Sequence, residues 1–174
     1  MEAAELEMYR QKFGLVAATP NNEDEAADRA DADRALVRDL LARFERRRLD
    51  YTITFDQLRR CLKNSDADAL AGADQDALRD ALGEDFARWR IRIGSSPEQR
   101  RDADALMRRS NPVVIPRNHH VEAALRACTE SGETTEIEQL LDVLKSPYET
   151  TPTTPRYQDA PLDGDANYQT FCGT

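Results

Sequence analysis

Ala35-Leu36-Val37-Arg38-Asp39-Leu40-Leu41-Ala42-Arg43-Phe44 decides the fold class. Its apolar residues Leu36, Val37, Leu40, Leu41 and Phe44 recur at steps of three and four, the period that lays one buried stripe along a helix, while Arg38, Asp39 and Arg43 fall on the other face. The same stepping returns elsewhere. Leu78, Leu82, Phe86, Trp89 and Ile93 predict one helix running through Gly83, and Ile137, Leu140, Leu141 and Leu144 predict another that Pro147 ends. No segment alternates in the two-residue period of a convincing strand, and no repeat is visible.

Punctuation sets the boundaries. A first helix is expected over about 3–12, ending near Gly14, and the polar run from Pro20 to Asp33, with six acids and one arginine, reads as a solvated loop. Thr54 and Gln57 have capping-box spacing, which predicts a helix from there to about Lys63. The stretch from Asn64 to Asp76, rich in Asp, Ala and Gly, reads as a loop. Ser96-Pro97-Glu98-Gln99 is a strong helix start, because serine caps, proline at the first turn loses no bond, and the acid faces the positive end. That helix should break at Asn111-Pro112, since the residue before proline is pushed out of helical geometry. After Pro116 a helix is expected from about Asn118 to Glu130, stopped by Gly132, and Thr135 with Glu138 repeats the capping spacing. The expected fold is therefore all-α: six or seven short helices within residues 1–146, then an extended tail over 147–174. The tail is broken by Pro152, Pro155, Pro161, Gly164 and Gly173 and anchored through Tyr148, Tyr157, Tyr168 and Phe171.

Composition bounds the function. Charged residues are 33% of the 174 and aromatics only 6%, so burial per residue is modest for a single domain of this length. From Thr129 onward nine acids face only Lys145 and Arg156, which places seven of the nine net negative charges in the last quarter. Such an end repels nucleic acid and anionic membrane alike. No apolar run is long enough to span a bilayer and the amino end is acidic, so the expected location is cytoplasmic. Cys61, Cys128 and Cys172 form no C-x-x-C pair and cannot all pair within one chain, which argues against a secreted disulfide scaffold.

Candidate chemistry is sparse. There is no G-x-G-x-x-G and no phosphate loop, and Asp163-Gly164-Asp165 is read as a turn. Adjacent His119 and His120 should diverge by roughly 100° on a helix and, with no third ligand at a fitting spacing, are read as packing and hydrogen-bonding residues rather than a zinc site. Arg117 and Asn118 form a candidate polar clamp, able to tie loose carbonyls after a proline-bounded turn. Trp89, within Arg88-Trp89-Arg90-Ile91-Arg92-Ile93, is read as a core anchor rather than a base-stacking platform, because the acidic chain is a poor footprint for nucleic acid. Cys61 and Cys128 lie on apolar faces and are read as inert. Cys172, three positions from the carboxyl end on a tether, is the thiol with reach.

Four blocks also carry a family resemblance. Lys12-Phe13-Gly14-Leu15, Asp50-Tyr51-Thr52-Ile53-Thr54-Phe55, the segment Asn111-Pro112 to Arg117-Asn118-His119, and Leu140-Leu141-Asp142-Val143-Leu144-Lys145-Ser146-Pro147-Tyr148 occur in the order found at the carboxyl end of selenoprotein O (SelO), whose terminus holds a cysteine or selenocysteine. That family is one of protein adenylyltransferases with a protein-kinase-like fold, which move AMP from ATP to Ser, Thr or Tyr hydroxyls of acceptor proteins. The resemblance implies an accessory carboxyl-terminal part that buttresses the kinase-like lobe, with ATP and Mg2+ or Mn2+ bound by residues upstream of the matched region and no cofactor or metal site in this chain. The catalytic lobe would then be missing through a truncated reading frame or separate encoding. It also implies that Cys172 is redox-active and pairs with a cysteine of the catalytic part; the other reading is a tail anchor beside Phe171. From the residues alone, a stand-alone acidic helical interaction module remains the alternative.

Overall fold

A computed structural model describes residues 1–17, 22–63 and 69–160. Eight α-helices and no strand are found among the described residues: α1 (Ala3–Lys12), α2 (Glu23–Arg47), α3 (Tyr51–Arg60), α4 (Gly72–Leu82), α5 (Glu84–Ile93), α6 (Pro97–Ser110), α7 (Asn118–Ser131) and α8 (Thr135–Lys145). The expected all-α class is what the chain adopts. Backbone packing divides the described residues into two compact units, one ending at Pro112 and the other beginning at Val113.

In the first unit the apolar stripe of α2 is buried as its period requires. Val37 and Leu40 are fully enclosed, and α2 packs on α1, α4 and α5 while α6 packs on α1 and α3. Phe13, just past α1, is the aromatic centre. Its ring centroid lies 4.8 Å from Phe55 and 6.0 Å from Phe44, and those two lie 5.4 Å apart. Trp89 is wholly buried, as the four-residue stepping predicted, and its indole N–H donates to the Phe13 carbonyl at 2.8 Å.

Several boundaries differ from the sequence expectation, each for an identifiable reason. Of the run read as a loop up to Asp33, Glu23 to Asp33 instead form the first three turns of α2, while Pro20 and Asn21 lie outside the described residues. Asn22 caps that helix by accepting from the Glu25 amide at 2.8 Å, and Glu23, Asp24 and Glu25 face its positive end. α3 is capped by Asp50, which accepts from Ile53 N at 2.8 Å, so Thr54 lies inside the helix and its hydroxyl donates to the Asp50 carbonyl at 2.6 Å. The helix expected through Gly83 is two helices, because Gly83 takes φ 58° and ψ −137°, a conformation in which a side chain is strained. α4 also begins at Gly72, inside the stretch read as a loop, of which residues 64–68 lie outside the described residues. The Ser96 box is formed as expected, Ser96 Oγ accepting from Gln99 N at 3.1 Å and Gln99 Oε1 from Ser96 N at 3.0 Å.

In the second unit α7 and α8 meet across Gly132, whose left-handed φ of 71° suits a residue without a side chain. Val114, Ala124, Leu140, Val143 and Tyr157 form its core. The box expected from Thr135 and Glu138 is not made. Thr134 holds the cap position, and its hydroxyl donates to the Glu138 carboxylate at 2.8 Å. Of the expected tail, residues 147–160 are described, with a 3-10 turn at Thr154–Tyr157 that buries both its end residues; Tyr168, Phe171, Cys172 and Asp163-Gly164-Asp165 lie outside the described residues.

Buried charge in the first unit is paired. Asp33, only 1% exposed, accepts from Arg10 Nε at 2.9 Å and from Arg92 Nε and Nη2 at 2.7 and 3.1 Å, which joins α1, α2 and α5. Asp85 accepts from Arg43 at 3.0 Å and from Arg88 at 2.8 Å. Hydrogen bonds to charged groups contribute about 1.5–3 kcal/mol where buried, but both arginines of the Asp33 group keep some solvent contact and can rehydrate. Asp33→Ala should therefore destabilise the chain by about 2–3 kcal/mol in urea unfolding. A loss under about 0.5 kcal/mol would place the triad with weak surface pairs.

Candidate functional site

The second unit is entered through two prolines. Pro112 and Pro116 keep residues 113–116 out of a helix, which leaves the amides of Val113 and Val114 to find partners elsewhere. Val113 N donates to the Pro147 carbonyl at 2.7 Å and Val114 N to the same oxygen at 3.4 Å. The Gln158 side-chain amide donates to the Val113 carbonyl at 2.8 Å. The proline-bounded segment is thus stitched to the end of α8 and to the chain after the 3-10 turn.

Arg117 and Asn118 follow at the start of α7. Arg117 occupies the cap position, is 8% exposed, and its carbonyl accepts from the amides of His120 and Val121, each at 3.1 Å. Asn118, the first helical residue, is exposed. The structure therefore puts one member of the candidate clamp inside and the other outside.

Next come the two histidines, and here the geometry departs from expectation. Their rings do not diverge: the centroids are 4.1 Å apart, and both face Asp159. His120 Nε2 is 2.6 Å from Asp159 Oδ1, and His119 Nε2 is 3.8 Å from Asp159 Oδ2. A helical step of 100° separates Cα–Cβ bonds, but side-chain rotation in the first turn, with no preceding turn to obstruct it, lets the rings swing together. Asp159 lies 39 residues from His120, so no local spacing could announce it. The Tyr157 ring meets His120 edge-on at 5.2 Å and helps fix it. Neither ring nitrogen of His119 touches solvent, and neither has a hydrogen-bond partner. Burial works against the Asp159 carboxylate, but the His120 hydrogen bond and both imidazoles prevail and hold its carboxyl below the usual carboxylate range. Arg156 secures this part of the chain to α8 by donating to both Glu136 carboxylate oxygens at 2.6 and 2.8 Å and to Gln139 at 2.9 Å.

The four sequence blocks prove to be joints. Asn111 Nδ2 donates to the Lys12 carbonyl at 2.8 Å and to the Met107 carbonyl at 3.1 Å, while Lys12 Nζ donates to the Ser110 carbonyl at 3.2 Å and lies 5.5 and 5.4 Å from the ring centres of Tyr51 and Phe55. Gly14 takes φ +69°, and a Cβ there would come within 2.9 Å of Met107 Cγ. The blocks around Lys12, Tyr51 and Asn111 thus lock one unit, and those around Val113 and Pro147 lock the other.

No protein-family profile matches the chain. Individual proteins do. It is 42% identical over 144 residues to the protein nucleotidyltransferase YdiU of Teredinibacter turnerae, covering 83% of this chain and 28% of that protein. The like-named protein of Rhizobium etli is 41% identical over 144 residues, covering 83% and 29%. That of Rhizobium meliloti is 37% identical over 170 residues, covering 97% and 32%. The chain spans less than a third of the length of these relatives.

Thiol chemistry separates the described cysteines. Cys61 is buried, and that burial pushes its thiol up to about 11 against the pull of Arg90, Arg79 and Arg60, so little thiolate exists at neutral pH. Cys128 is half-buried on α7. A thiol-directed reagent at pH 7.5 should label Cys128 at least about tenfold faster than Cys61, followed by mass spectrometry of peptides. Equal rates would show that the chain at the end of α3 opens freely.

Proposed function

Because the chain belongs to the selenoprotein O family of protein nucleotidyltransferases, we propose that it serves as the helical supporting part of such an enzyme, whose nucleotide-handling lobe is supplied by sequence outside these residues. The observation that carries this reading is the use of the matched blocks. They hold helix ends and turns together and present no phosphate-binding loop, which is the division of labour expected of a buttress rather than a catalytic centre. In the complete enzyme the kinase-like lobe holds ATP with Mg2+ or Mn2+ and transfers AMP to Ser, Thr or Tyr hydroxyls of acceptor proteins. Transfer of this kind rests on positioning and on neutralising phosphate charge, and a rigid support serves the first of these.

Cys172 belongs to the same proposal. Under oxidation it forms a disulfide with a cysteine of the catalytic part, each thiol losing one proton and one electron to the oxidant, and the bond couples transfer to redox state. Cys61, enclosed and protonated, is unsuited to that role. Arg117 acts as a structural clamp at the entry to α7, with the exposed Asn118 beside it.

The test is complementation. The part of the Teredinibacter turnerae relative that this chain does not match, co-expressed with this chain, should co-purify with it and label an acceptor protein with AMP, whereas this chain alone should transfer none. Failure to associate, with each piece folded by circular dichroism, would overturn the supporting role. Labelling by the pair that is indifferent to oxidant and to Cys172→Ser would remove the redox role and leave the buttress standing.

A further inference from the structure

We propose that His119, His120 and Asp159 form a binding site for a divalent transition-metal ion of the zinc type. The three donor atoms already lie within 4.8 Å of one another, and no ion is needed to bring their chain segments together. An ion bonded at about 2.0–2.1 Å to each of two ligands in tetrahedral geometry holds those ligands about 3.3 Å apart. His119 Nε2 lies 3.8 Å from Asp159 Oδ2 and His120 Nε2 lies 2.6 Å from Asp159 Oδ1, so the carboxylate must turn to bring one oxygen to about 3.3 Å from each ring nitrogen, nearer to His119 and farther from His120. Asp159 is 62% exposed and can make both adjustments by rotating its side chain.

The site's chemistry selects the ion. Two imidazole nitrogens and one carboxylate oxygen suit zinc, nickel, cobalt or copper, whereas magnesium and calcium prefer oxygen alone. His119 gives a second reason to expect a ligand: both its ring nitrogens are shut off from solvent without a hydrogen-bond partner, Nε2 lying 3.8 Å from Asp159, an arrangement that a coordinated ion relieves at Nε2. The support is rigid where it must be. The histidines sit in the first turn of α7, and Tyr157, two residues before Asp159, is buried against His120. With three protein ligands, water completes the shell, so the ion keeps an exchangeable position. The proposal stands apart from nucleotidyl transfer and does not depend on it.

Calorimetric titration of Zn2+ into the 174-residue chain carrying Cys172→Ser, at pH 7.5, should show one equivalent bound. The Co2+-loaded chain should lack the thiolate-to-cobalt charge-transfer bands that a cysteine ligand would give. His119→Ala and Asp159→Asn, each checked for unchanged helicity, should weaken the site at least about tenfold, since loss of even an outer partner of a metal site costs on the order of 10–100-fold. Glu122→Gln, exposed on the same helix, should bind as the parent does. Affinity should fall as the pH is lowered, because an imidazole must lose its proton to coordinate. No saturable binding, binding unchanged in both variants, or cobalt spectra dominated by thiolate would each overturn the proposal; the His120–Asp159 contact would then be an ordinary hydrogen bond.

Discussion

The carboxyl end of α1 leaves backbone carbonyls inside an apolar core, and the first unit is organised around satisfying them. A helix cannot do this for its own last turn. Lys12 O takes the Asn111 amide, Phe13 O takes the Trp89 indole, and the backbone amides of Phe13 and Leu15 return to Tyr9 and Arg10 carbonyls. Each outside donor comes from a different helix end or face, so satisfying one turn of α1 fixes α5 and α6 against it. The Phe13–Phe55–Phe44 cluster then has a defined place to pack, and Gly14 turns the chain away where a side chain would strike Met107.

Much of this was legible in sequence because it follows from period and punctuation. The stripe from Leu36 to Phe44, the burial of Trp89 and the Ser96 box depend on neighbours within four residues. What was misread depends on weighing polarity against capping. Asn22 and Glu25 carry a helix-start spacing, yet six acids in the run suggested solvent, and only the distant Arg10 and Arg92 explain how Asp33 can be buried. Likewise Gly83 could be tolerated in a helix or could end one, and its positive φ decides the matter.

The site was less legible for a related reason. Arg117 and Asn118 were visible as polar residues after a proline, but their opposite exposures arise from the way Pro147 and Gln158 hold the preceding strand of chain. The histidine pair was visible too. Its convergence needed Asp159, supplied by a segment that the 3-10 turn and the Arg156–Glu136 pair bring back to α7. Long-range closure of this kind leaves no trace in spacing, whereas family resemblance registers the joints themselves: the four recognisable blocks are the places where remote backbone groups meet.

The Lys12–Asn111 joint also bears on vectorial synthesis. Its two residues are 99 positions apart, so the partners that complete α1 emerge from the ribosome long after α1 itself. At about 5–20 residues per second, that interval is on the order of 5–20 s. Throughout it Phe13 and its neighbours have no finished core to enter, so the end of α1 waits with its carbonyls unsatisfied until nearly the whole first unit has been made.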